Sequence, residues 1–198
     1  MPRHFRQLLA AVLAIGTLLW ATTPGAETRG WKTVPGKGQA GFDATFSLGN
    51  FSGRTEEVSG EFQADVSDLR TGVTGVLRIN AGSLKTGIDA RDRDMAKLLA
   101  ADRYPEIRFT IEKVDPSFPS VTDRSDVLLT VTGRMRIRGQ ERPMVVPSRV
   151  RFKDDKVWVR GEAELRMSEF GIDPPARMFV KVGDALIVSF DVLLAAGD

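Results

Sequence analysis

The sequence predicts an all-β protein of about eight antiparallel strands, whose two usual endings are a sandwich or, preferred because closure removes exposed edges, a single barrel with one short helix between strands near one mouth. Apolar and polar residues alternate with period two along most of the chain, and short Gly-, Pro- and Asp-containing connections separate the alternating segments. Against that background "DMAKLLAADRYP" (Asp94 to Pro105) repeats its apolar residues at helical spacing.

At the start, Arg3, His4 and Arg6 precede an apolar run from Leu8 to Trp20, followed by Ala21-Thr22-Thr23-Pro24-Gly25-Ala26. That order reads as a secretory signal peptide over residues 1–26, cut between 23 and 26. The run is short for a membrane span and no second one follows, so residues 27–198 are expected as one exported domain without a stable membrane anchor.

Composition narrows the chemistry. The chain has 28 basic and 26 acidic residues; loss of Arg3 and Arg6 with the signal leaves the remainder near neutral, which gives no attraction to nucleic acid. Its one histidine, His4, leaves as well, and cysteine is absent. Ser-His-Asp and Cys-His catalysis, histidine and cysteine zinc sites and disulfides are thereby excluded from the mature chain. Stability must come from a core, and a chain of this size buries about 70% of its unfolded surface.

After a Gly- and Lys-containing leader, "VPGKGQAG" (Val34 to Gly41), Phe42, Ala44, Phe46 and Leu48 alternate in a first strand. Val58, Gly60, Phe62, Ala64 and Val66 share a face of the second, Val73, Gly75, Leu77 and Ile79 of the third, and Ile107, Phe109 and Ile111 of the fourth. Leu129, Val131, Gly133, Met135 and Ile137 follow, then Val146, Val150 and Phe152. Val157, Val159, Gly161, Ala163, Leu165 and Met167 form the next face, and Leu186, Val188, Phe190, Val192 and Leu194 the last. Turns are expected at "GNFSG" (Gly49 to Gly53), "DPSFPS" (Asp115 to Ser120), "RGQERP" (Arg138 to Pro143), "KDDK" (Lys153 to Lys156) and "GIDPP" (Gly171 to Pro175).

Met95, Leu98 and Leu99 stand at i, i+3 and i+4, with Asp89 or Asp92 as N-cap, which predicts an amphipathic helix over about residues 90–101 lying across one mouth. Pro105 hands the chain to the next strand. Eight strands enclose either packed side chains or one small ligand. Gly60, Ala64, Gly75, Gly133, Gly161 and Ala163 on the inward faces leave room for a cavity, or else serve strand bending around a filled core.

The polar motifs have plain readings. "DARDRD" (Asp89 to Asp94) lacks the Gly and terminal Glu of a calcium loop and reads as a salt-bridged helix start. Arg134, Arg136 and Arg138 read as a solvated strand face paired across the sheet, among Glu162, Glu164, Arg160 and Arg166. Paired carboxylates on polar faces show no nucleophile with a base beside it, so no catalytic residue, cofactor or metal site is assigned.

"TGIDARDRDMAKLLAADRYPEIRFT" (Thr86 to Thr110), "VTGRMRIRGQERPMVVP" (Val131 to Pro147), "LRMSEFGID" (Leu165 to Asp173) and "VGDALIVSFDV" (Val182 to Val192) together resemble, in type and order, the YceI-like family of exported lipid-binding proteins. The resemblance runs from about Trp31 to the end. It implies a lipocalin-like barrel over 27–198, a periplasmic location, no enzymatic activity and an apolar interior that takes a polyisoprenoid or fatty amphiphile. Where many members carry histidine, this chain has Asn50 and Asp94, which puts any headgroup or metal contact by such histidines in doubt.

The residues expected to line the interior are Phe46, Phe62, Leu77, Phe109, Met135, Ile137, Leu165, Met167, Val188 and Phe190, with Met95, Leu98 and Leu99 at the mouth. The rival expectation is a filled barrel presenting its charged outer face to an envelope partner. A homodimer is compatible with either.

Overall fold

The structure is a computed structural model and describes residues 28–121, 126–177 and 180–197. The expected signal peptide lies outside the described residues. The strands are β1 (Arg29–Phe46), β2 (Gly49–Thr55), β3 (Val58–Ala64), β4 (Thr74–Asn80), β5 (Glu106–Pro116), β6 (Val127–Ile137), β7 (Gln140–Lys153), β8 (Lys156–Arg166), β9 (Ala176–Arg177) and β10 (Val180–Ala196). Helix α1 (Asp89–Leu98) lies between β4 and β5.

The antiparallel order β1-β3-β4-β5-β6-β7-β8-β10 returns to β1 and closes an eight-stranded barrel. Strand β1 makes the closure. One of its edges pairs β10 from Trp31↔Ala196 to Phe46↔Val182. The other pairs β3 over Arg29 to Lys32 and β2 over Ala40 to Phe46. Its register with β10 slips between Thr33 and Gly38, where the wall bends. The far edge of β2 is met by the chain entering α1, through a two-way backbone bridge between Arg54 and Lys85 at 2.9 and 2.8 Å.

Two expected connections are strands instead. "VPGKGQAG" lies inside β1 and "GNFSG" inside β2; the first hairpin turns earlier, at Ser47 and Leu48, and leaves Leu48 77% exposed rather than inward. Two of the glycines in these stretches, Gly41 and Gly53, are places where a neighbour covers the backbone. A Cβ on Gly53 would stand 2.3 Å from Phe42 Cε1, and one on Gly41 2.6 Å from Arg54 Cδ. The turn at Asp154 and Asp155 is as expected, with φ of 53° and 52°.

The same device recurs inside the barrel. Phe42, Phe62 and Phe190 sit opposite Gly53, Gly75 and Gly161 in register. Added Cβ atoms on Gly75, Gly133 and Gly161 would meet the rings of Phe62, Phe109 and Phe190 at 2.3, 2.8 and 2.7 Å. These glycines therefore do not create empty space. They are the floor on which aromatic rings lie flat.

The barrel is filled at one end and hollow at the other. At the end where β1 begins and β10 finishes, Trp31 meets Phe152 edge-on at 6.2 Å, and Val121, Val127 and Val192 are at most 1% exposed. At the opposite end the later half of β1 and the beginning of β10 face α1, the Arg138-Gly139 turn and a short 3₁₀ turn at Met167–Phe170. The outer arginines pair locally, though not as the alternation suggested. Strand β6 lies between β5 and β7, so Arg134 meets Glu112 at 3.0 Å instead of the glutamates of β8.

Candidate functional site

The hollow end encloses a cavity of about 660 Å³. Its wall is built by period-two faces that converge from strands on all sides: Leu77 and Ile79 of β4, Ile107 and Phe109 of β5, Met135 and Ile137 of β6, Met144 and Val146 of β7, Leu165 of β8, and Leu186, Val188 and Phe190 of β10. Met167 and Ile172 extend it below the 3₁₀ turn. One rim comes from Phe42, Phe46 and Phe51, whose rings contact edge to face at 5.9 Å centroid separations. The other comes from α1 through Met95 and Leu98, with Leu99 just beyond the helix.

Every residue expected to line the interior stands at the cavity wall except Phe62, which packs against the core outside it. Its ring lies over Gly60 and Gly75, away from the cavity. The helix covers the mouth and is shorter than expected, because Ala100 takes a φ of 48° and turns the chain. Neither Asp89 nor Asp92 caps it; Ile88 holds the N-cap position without a side-chain bond.

Sequence reasoning missed Phe51, because β2 was read as a turn, and Met144, although it continues the alternation of Val146 and Val150. It also missed Arg91. The signal was present: Arg91, Met95 and Leu98 stand at i, i+4 and i+7, so the cation shares the face that meets the cavity.

Among the described residues, the charged side chains at the wall are Arg91 and Asp94 on α1. The Arg91 guanidinium stands 4.5 Å over the Phe51 ring. Its Nε donates to Thr86 Oγ1 at 2.9 Å and its Nη2 to the Thr86 carbonyl at 3.1 Å. Thr86 donates both its backbone N–H and its hydroxyl to Oδ1 of buried Asp92, at 2.8 and 2.6 Å. The Thr86 hydroxyl, with its backbone N–H, holds the Asp92 carboxyl below its ordinary 3.8. Ser168 likewise donates its backbone N–H to Oδ1 and its hydroxyl to Oδ2 of Asp184, at 2.8 and 2.7 Å, and lowers that carboxyl. Among the described residues no group of three or more acidic, histidine or cysteine side chains could hold a metal ion. No described helix is long and apolar enough to cross a membrane.

The sequence that builds this barrel matches a family model. The YceI-like domain aligns to residues 31–194. The chain belongs to the YceI-like family. Similar solved structures include Burkholderia cenocepacia BcnA, at 16% identity and TM-score 0.67, with 81% of this chain and 98% of that chain covered. A domain from Saccharophagus degradans described as polyisoprenoid binding, and implicated in plant cell wall breakdown, aligns at 13% identity and TM-score 0.66, covering 84% and 98%. The Campylobacter jejuni YCEI protein aligns at 17% identity and TM-score 0.58, covering 74% and 84%. At these identities the structures share the YceI-like fold. No curated protein matches the chain.

Proposed function

We propose that this YceI-like protein is a non-catalytic carrier that shields the tail of a polyisoprenoid or other long-chain amphiphile from water. Residues 27–198 are the working domain, and residues 1–26 direct it to the periplasm. The observation that carries the reading is the hollow half of the barrel: a cavity of about 660 Å³ whose charged lining side chains, among the described residues, belong to the mouth helix. The similar domain described as polyisoprenoid binding supports the choice of ligand.

The volume sets the scale of the cargo. At roughly 30 Å³ per non-hydrogen atom, the share of one water in the liquid, the cavity holds on the order of 20 chain carbons, or about four five-carbon units. Burying that tail contributes at most about 16 kcal/mol at ~0.8 kcal/mol per methylene. Association costs on the order of 4–15 kcal/mol. The balance favours binding only for tails that fill the space, and carbons beyond the mouth add little.

The test is mass spectrometry of the organic extract from natively purified protein, followed by uptake of added prenyl alcohols of increasing length. A stoichiometric long-chain amphiphile, and affinity that rises with length before levelling near 20 carbons, is the expected result. Protein that is empty and takes up no member of the series would refute the carrier reading.

A further inference from the structure

Shielding an apolar tail does not require a cation at the mouth, yet Arg91 is held there. A charge beside an apolar wall is costly unless something meets it. No protein carboxylate pairs with Arg91 among the described ion pairs. Its contacts are the Thr86 hydroxyl and carbonyl and the face of Phe51, and its Nη1 makes no hydrogen bond with the described residues. Asp92 lies near enough for the charge of Arg91 to add to the lowering of its carboxyl, but its Oδ1 is engaged by Thr86.

The result is a guanidinium oriented before any ligand arrives. Asp92 fixes Thr86, Thr86 fixes one edge of the fork, and Phe51 supports its face. Such a planar fork matches the paired oxygens of a carboxylate or phosphate. Orientation in advance reduces the entropy lost when they meet.

We propose that Arg91 receives the anionic headgroup, carboxylate or phosphate, of an amphiphile whose tail lies in the cavity. The inference rests on the carrier reading above and adds a headgroup class to it. Asp94, three residues along α1 and also lining the mouth, opposes the same headgroup and moderates its affinity. The two side chains therefore have opposite predicted effects.

The experiment compares dissociation constants for matched pairs, hexadecanoate with hexadecanol and geranylgeranyl phosphate with geranylgeraniol, on the mature protein. The anionic member should bind about tenfold tighter or better in at least one pair. Arg91→Gln should erase that ratio by weakening the anion far more than the alcohol, and Asp94→Asn should strengthen the anion. A preference within one pair supports the proposal and names the oxyanion. Alcohols that bind as well as their anions, or a ratio that survives Arg91→Gln, would overturn the headgroup assignment and leave the carrier reading standing. Should Arg91→Gln fail to fold, Asp94→Asn decides: no gain for the anion overturns the assignment. If no member of either pair binds, the carrier reading itself fails, and the assignment with it.

Discussion

Replacing Gly161 by alanine should damage uptake indirectly, because the new methyl group displaces a ring rather than touching cargo. A Cβ there would stand 2.7 Å from Phe190 Cε1 and Cζ and 2.6 Å from Ser148 Oγ, contacts that real Cβ atoms do not tolerate. The backbone on either side is fixed by pairing with Phe190 and Ser148, so the side chains must yield. Overpacking of this kind costs about 1–3 kcal/mol. Disturbing the Ser148 hydroxyl, which donates to the Val146 carbonyl at 3.1 Å, adds to it. Phe190 lines the cavity, and the free space beside it is the cavity itself. A benzene-sized group occupies about 150 Å³, close to a quarter of the 660 Å³ present. Tail capacity should fall by about five carbons, worth up to roughly 4 kcal/mol of gross burial, so long-chain affinity should drop at least about tenfold.

Gly75→Ala is the matched control. Its Cβ would meet Phe62 Cδ1 at 2.3 Å, but Phe62 does not line the cavity. Urea titration should show comparable destabilisation in the two variants. Fluorescence titration with a long prenyl alcohol should show loss of affinity in Gly161→Ala alone. Equal affinity losses, or none in Gly161→Ala despite its destabilisation, would refute the reasoning.

Leu165→Ala, which removes a 5% exposed side chain from the cavity wall, should cost about 2–5 kcal/mol by urea denaturation. Asp155→Gly, at a φ of 52° in the β7–β8 turn, should stabilise by up to about 1 kcal/mol in the same assay. In acid, Asp43, Asp92 and Asp184 should lose the support they give the mouth. Their carboxyls are held below 3.8 chiefly by the hydroxyls of Ser52, Thr86 and Ser168, so the unfolded chain binds protons first as pH falls. Their stabilisation is complete above that value and drains as pH drops through their folded pKa values. Hydrogen exchange at the Thr86 and Ser168 amides should therefore accelerate below about pH 4 while the filled end stays protected.

The strands from β6 to β8, with β10, were legible because each keeps one alternating face toward the interior, whereas β5 changes face at a register shift between Ile111 and Lys113. Strand β2 was hidden because Gly49 and Gly53 carry turn chemistry, and nothing local reveals that the ring of Phe42 needs Gly53 bare. The same dependence on register misplaced Phe62. Alternation put it inward correctly, but only pairing with Gly75 shows that its ring lies along the sheet. Filled and hollow halves were equally unreadable, since Val192 and Val188 occupy the same face of one strand and differ only in which end they reach. Arg91 was absorbed into a charged helix start, although its spacing from Met95 and Leu98 carried the necessary signal.

Because β1 is clasped by β10, the enclosure depends on the earliest and latest strands of the described chain meeting across its full length. Assembly is therefore nonlocal, and contacts of such long sequence separation form slowly. Until β10 docks, β1 and β8 each present an open edge able to recruit another chain. Loss of the last strand would accordingly do more than shorten the protein. It would turn a closed ring of strands into a curled sheet with adhesive borders, and aggregation would be its first symptom.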